Sequence, residues 1–216
     1  MTTSARDHVR RSHARLAATL ETLTDADARR PSLLPGWTVG HVLTHLARNA
    51  DSLVRLLEGG ARGEVADQYA GGNERRAAAI EAGGGRPSAE LVADVLTSAA
   101  RLEATWDATP DGVWRTGQGR VVSGVWPLAD LPFRRWREVE IHHVDLGLAY
   151  GFRDWPDEYV DAELDRTLAE LPGRLPPGTD IELVPPSDAL LRRRFLAWLI
   201  GRAEPPAPGY PSLGPW

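Results

Sequence analysis

The chain has 216 residues, is 42% hydrophobic and carries a formal net charge of −5, which suits one large globular domain or a medium one with a small companion. No basic block interleaved with aromatics argues for a nucleic-acid partner, and no apolar run is long enough for a membrane span or an opening signal peptide, so a cytoplasmic protein is expected. There is no cysteine, and all 25 basic residues are arginine, which removes disulfides, thiolate ligands, a cysteine nucleophile and a lysine Schiff base from its chemistry.

In chain order, residues 5–24 read as a first helix, with Val9, Leu16, Leu20 and Leu23 on a helical period. His8 and His13 are expected on its solvated side. Pro31 and Pro35-Gly36 break the pattern. A second helix starts at Thr38, a plausible N-cap, and runs to Glu58, with the stripe Val42, Leu46, Ala50, Leu53 and Leu57. Residues 73–82 form a weakly amphipathic helix that ends at Gly83-Gly84-Gly85. Ser88 is expected to cap a helix carrying Leu91, Val95, Ala99, Leu102 and Trp106. Residues 110–127 read as a connection without helical periodicity. Another helix is expected from about Leu131 to Tyr150, ended by Gly151. Four long amphipathic helices predict an antiparallel bundle, in which metal sites are built from inward-facing side chains on neighbouring helices.

The character changes after about residue 153. A helix fits residues 157–170, Ile181-Glu182-Leu183-Val184 is a short strand-like run, and Ser187 is expected to cap a helix carrying Leu190, Leu191, Phe195, Trp198 and Leu199. A Pro- and Gly-rich arm follows from Pro205 to Trp216. The expected division is a bundle over residues 1–152 and a small α/β appendage over residues 153–216.

The chemistry concentrates in Arg135-Trp136-Arg137-Glu138-Val139-Glu140-Ile141-His142-His143-Val144-Asp145. Glu138 and His142 are four residues apart, so a helix sets a carboxylate and an imidazole one turn apart on one face. His45, bordering the stripe of the second long helix, is available as a third ligand. Three protein ligands and an open position make a catalytic metal site, and a two-histidine, one-glutamate set suits zinc. Competing donors are Glu140 with His143 at i,i+3, and His41 one turn before His45. Asp145 can orient the His142 ring from behind.

Leu34-Pro35-Gly36-Trp37-Thr38 with His41 and His45, and Arg137-Glu138-Val139-Glu140-Ile141-His142-His143-Val144-Asp145-Leu146-Gly147, resemble the mycothiol-dependent maleylpyruvate isomerase family, one of the DinB-like four-helix bundles. Gln118-Gly119-Arg120 and Gly201-Arg202 are similar too. The resemblance implies His45, Glu138 and His142 as ligands of a divalent metal, Arg202 as a catalytic arginine, and mycothiol as cofactor. The span from Ile181 to Phe195 is shorter than the family's usual C-terminal sheet.

The chemistry so implied is cis–trans isomerisation of maleylpyruvate to fumarylpyruvate by thiol addition, bond rotation and elimination. A protein without cysteine must borrow the thiol, and a coordinated thiol is acidified by the metal. The expected partners are therefore a small thiol and a small anionic or electrophilic substrate. Arginine is the natural clamp for substrate carboxylates, with Arg75, Arg76 and Arg120 as further candidates beside Arg202. Alternatives are a mycothiol S-transferase using the same thiolate, and a non-catalytic metal- or thiol-binding bundle. A metal-dependent hydrolase needs a base near the open position, where Glu140 faces the wrong way, and no Gly-x-Ser-x-Gly elbow supports serine catalysis.

Overall fold

A computed structural model describes residues 2–176 and 183–214. The chain divides into two compact units, residues 1–149 and 150–216. In the first, helices α1 (Thr2–Leu20), α3 (Val39–Ala61), α5 (Ser88–Ala108) and α7 (Leu131–Asp145) form a four-helix bundle. Helix α3 packs on α5 and α7, and α1 closes the ring by packing on the same two helices. The expected stripes are the core: Val42, Leu46, Ala50, Leu53 and Leu57 of α3 meet Leu91, Val95 and Leu102 of α5, all buried. Each such Val or Leu side chain contributes roughly 1.5–3 kcal/mol by leaving water.

Local signals set the helix ends, not always where the pattern places them. Thr38 caps α3 as expected; its hydroxyl accepts the His41 amide, and its own amide donates to His41 Nδ1 at 3.2 Å. A short α2 (Asp25–Arg29) has the same reciprocal cap between Thr24 and Asp27. Ser88 does not cap α5. It is the first helical residue, preceded by Pro87, and its amide donates to Asp25 Oδ1 at 2.7 Å. Helix α7 stops at Asp145 rather than Tyr150, because Gly147 takes a left-handed φ of 64° and its amide turns back to the Val144 carbonyl.

Between the long helices lie α4 (Gly72–Gly83), the short α6 (Asp111–Thr116) and a three-stranded sheet of β1 (Ala66–Asp67), β2 (Gln118–Val121) and β3 (Gly124–Pro127). Strand β1 pairs parallel to β2, and β2 pairs antiparallel to β3. The expected irregular connection over residues 110–127 is thus a helical turn plus a hairpin. Its four-residue strands are too short to show an alternation that stands out from a loop.

The bundle interior is polar at one level. Arg135 of α7 is fully buried; its Nη1 donates to the Leu46 carbonyl and to Asn49 Oδ1 of α3, both at 2.8 Å, and its Nε donates to His13 Nε2 of α1 at 3.1 Å. The opposite nitrogen of His13, Nδ1, donates to Glu103 Oε1 of α5 at 2.7 Å. One hydrogen-bonded chain therefore crosses all four helices. This corrects the expectation of a solvated His13: the ring is buried and held neutral, its pKa pushed down to about 4 chiefly by burial. His143 is likewise pushed down to about 3 by burial and by the charge of Arg15, and its Nε2 meets Thr19 Oγ1 at 2.8 Å. His8 stacks on Trp136 with centroids 4.4 Å apart.

The second unit contains α8 (Asp157–Glu170) and α9 (Ala189–Leu199) around Trp155, Tyr159, Leu164 and Phe195. Arg193 ties its two helices, donating to the Trp155 carbonyl at 2.7 Å and pairing with Asp157 at 2.8 Å. Asp188, not Ser187, caps α9, its carboxylate accepting the Leu191 amide at 2.9 Å. Leu190 and Leu191 are about half exposed, so the buried face of α9 begins only at Phe195. Of the strand-like run 181–184, Ile181 and Glu182 lie outside the described residues, and Leu183 and Val184 are in no strand. Among the described residues no helix is long and apolar enough to cross a membrane.

A Cβ on Gly40 of α3 would stand 2.1 Å from the Gly84 carbonyl oxygen, whereas one on Gly85 meets open space. Gly40→Ala should cost about 1–3 kcal/mol in thermal or urea unfolding, and Gly85→Ala should leave the midpoint close to wild type. Separately, between about pH 6.5 and 4 the unfolded chain binds protons that buried His13 refuses, so stability of the metal-free protein should fall as pH drops through that window. The urea midpoint should decline steadily from pH 7 to 4.5, and His13→Gln should flatten that slope.

Candidate metal centre

His45 is buried on α3, and Glu138 and His142 lie one turn apart on α7, the helix packed beside it. His45 Nε2 donates to Glu138 Oε2 at 2.9 Å, and His142 Nε2 lies 3.6 Å from the same oxygen. One donor atom from each of the three residues lies within 4.8 Å of the other two. The two rings are perpendicular with centroids 4.6 Å apart, and Trp37 covers His45 at 5.7 Å. The loop that carries Trp37 is tied to the end of α7, where the Leu33 amide donates to the Asp145 carbonyl at 2.8 Å.

The donor set suits a cation. Partial burial opposes ionisation of Glu138, but the His45 hydrogen bond and the neighbouring His142 and Arg135 outweigh it and hold the carboxyl far below the usual carboxylate range. Burial, then the neighbouring His142, pushes His45 down to about 4, so its imidazole is neutral at neutral pH. A carboxylate and neutral imidazoles are the forms that ligate a metal. Behind the ring, His142 Nδ1 donates to buried Asp145 Oδ2 at 2.8 Å, which turns Nε2 toward Glu138. On the far side of His45, Arg76 Nη2 donates to Nδ1 at 3.0 Å.

The competing donors are occupied elsewhere. His41 completes the cap of α3. Glu140 is buried against α1, where it accepts from Ser12 and pairs with Arg15 at 2.6 Å, and His143 points to Thr19.

A cavity of about 560 Å³ adjoins two of the three donors; His45 and Glu138 line it together with Arg76, Arg134, Arg137, Tyr69 and Trp126. Of the candidate arginines, Arg76 therefore stands at the site. Arg75 is exposed, and Arg120 pairs with Asp67 at 3.3 Å beside an adjoining pocket of about 360 Å³. Arg202 belongs to the second unit. It follows Gly201, whose φ is 73°, donates to the Ile200 carbonyl at 2.8 Å, and lines a 500 Å³ pocket with Arg174. Sequence reasoning passed over Arg134 and Arg137. Arg134 lies four residues before Glu138, so the spacing that paired Glu138 with His142 could have found it.

Three donors from two neighbouring helices, opening on an arginine-lined cavity, define a helical-bundle protein with a candidate metal centre. Residues 9–147 match the family model described as the mycothiol maleylpyruvate isomerase N-terminal domain, and the chain belongs to that family. The fold is similar to a crystal structure of the mycothiol-dependent maleylpyruvate isomerase, at a TM-score of 0.81 and 24% identity over 94% of this chain and 90% of that one. A histidine-to-alanine mutant of that isomerase matches over the same shares of the two chains, at a TM-score of 0.82 and 24% identity. Comparison with curated proteins gave no match.

The hydrogen bond behind His142 yields a prediction. Asp145→Asn should weaken zinc binding about 10–100-fold in a chelator competition while leaving the far-ultraviolet circular dichroism unchanged. Unaltered affinity would show that the Asp145 contact does not orient the ligand.

Proposed function

We propose that this chain is a mycothiol-dependent maleylpyruvate isomerase, with a divalent metal, zinc by ligand chemistry, held by His45, Glu138 and His142. The observation that carries the reading is the three-donor cluster beside an arginine-lined cavity in a chain that has no cysteine. Family membership supports the same assignment. When bound, the metal acidifies a coordinated thiol, and mycothiol supplies the nucleophile that the chain lacks.

The chain's own residues hold, orient and neutralise. Asp145 fixes the His142 tautomer. Ionised Glu138 would offset one of the charges of a divalent ion held there. Arg76, Arg134 and Arg137 set positive potential along the cavity, matched to a substrate with two carboxylates, while Leu53, Val121 and Leu131 form its apolar wall. Arg202 is proposed, from the Gly201-Arg202 resemblance, as a further carboxylate partner.

The test is direct. Zinc-loaded protein incubated with mycothiol and maleylpyruvate should form fumarylpyruvate with the thiol released unchanged. His45→Ala should lose bound zinc and turnover together, whereas Arg202→Ala should keep the zinc and raise KM. A stable thiol adduct in place of fumarylpyruvate would reassign the protein as an S-transferase; zinc and thiol binding without either product would leave a binding bundle.

A further inference from the structure

Arg76 makes a contact that a metal-loaded site cannot keep. A guanidinium only donates hydrogen bonds, so the 3.0 Å approach of Arg76 Nη2 to His45 Nδ1 marks Nδ1 as the acceptor. The proton of the neutral ring then sits on Nε2, where it is donated to Glu138 Oε2 at 2.9 Å. A metal held among these three residues would take the electron pair of His45 Nε2, the nitrogen that faces Glu138. The ring proton must then reside on Nδ1, and two N–H groups would face each other between His45 and Arg76. The added charge of the ion also repels the guanidinium.

Arg76 has somewhere else to go. It extends from α4 along the wall of the 560 Å³ cavity, with its guanidinium over the Tyr69 ring at 5.4 Å. Among the described residues no carboxylate lies within ion-pair distance of it. We propose that metal loading and the Arg76–His45 hydrogen bond are mutually exclusive, and that loading turns Arg76 into the cavity as a binding cation for a carboxylate of the substrate. Without a metal the anion-binding arginine is tied to a ligand, and the metal releases it. This rests on the metal assignment above but not on the isomerase reaction.

The test uses zinc and maleate, a plain cis-dicarboxylate, with neither mycothiol nor turnover. Arg76→Met removes the competing hydrogen bond, so zinc affinity from chelator competition should rise on the order of tenfold. Arg76→Gln, whose amide oxygen can accept from Nδ1–H, should bind zinc at least as tightly as Arg76→Met. Maleate affinity of the zinc-loaded protein should fall on the order of tenfold in Arg76→Met, whereas that of the metal-free protein should barely change, because there the arginine is already engaged. Long-range ¹H–¹⁵N spectra should show the His45 proton on Nε2 without zinc and on Nδ1 with it. Zinc affinity that is unchanged or weakened in Arg76→Met, or an equal loss of maleate binding in both states, overturns the proposal. Wild-type protein that binds no zinc overturns the metal assignment along with it, whereas zinc coupling without isomerase turnover leaves this inference standing.

Discussion

The first unit is organised around a buried guanidinium. Arg135 is surrounded by the four long helices, and a charge placed there is tolerable only if its donors are met. The Leu46 carbonyl, Asn49 and His13 meet the donors of Nη1 and Nε, while Nη2 is buried without a partner among the described residues, and Glu103 takes the proton on the other side of His13. Apolar packing alone lets helices slide with little penalty when volumes are similar. A directed chain of hydrogen bonds does not, because a slip of one residue strands a charge. Burial lowers the Arg135 pKa to about 10, which still leaves it protonated at neutral pH.

That constraint reaches the candidate metal centre through short covalent distances. Arg135 lies three residues before Glu138 on α7, and its α3 partners Leu46 and Asn49 lie one and four residues past His45. The bonds that set the register of α7 against α3 therefore also bring the Glu138 carboxylate to the His45 ring. The same positive charge helps to keep Glu138 ionised despite its partial burial. Asp145 and the Leu33 amide secure the other end of α7, so the helix that supplies two of the donors is held on both sides of them.

The long periodic elements and the site were legible for different reasons. The stripes of α3 and α5 could be read because each spans several turns, so a few ambiguous positions do not blur the period. The Glu138–His142 pair could be read because a helix fixes i,i+4 geometry by itself. Ends and short elements were less legible. Ser88 and Ser187 look like caps, yet the capping geometry depends on where the preceding proline or the next aspartate puts the first turn. The hairpin over residues 118–127 has too few residues per strand for its pattern to stand out. His13 looked solvated because its partners, Arg135 and Glu103, come from helices about a hundred residues away in sequence.

By itself the sequence determined which residue types could do chemistry: the absence of cysteine and lysine, the abundance of arginine, and one helical turn carrying a carboxylate and an imidazole. These follow from composition and from local helix geometry, which need no partner. The tertiary structure alone decided which arginine of 25 stands beside the three donors, and which nitrogen of His45 carries the proton. Those depend on atoms brought within about 3 Å across separate helices, and hydrogen bonds at that range are set by packing rather than by any sequence period.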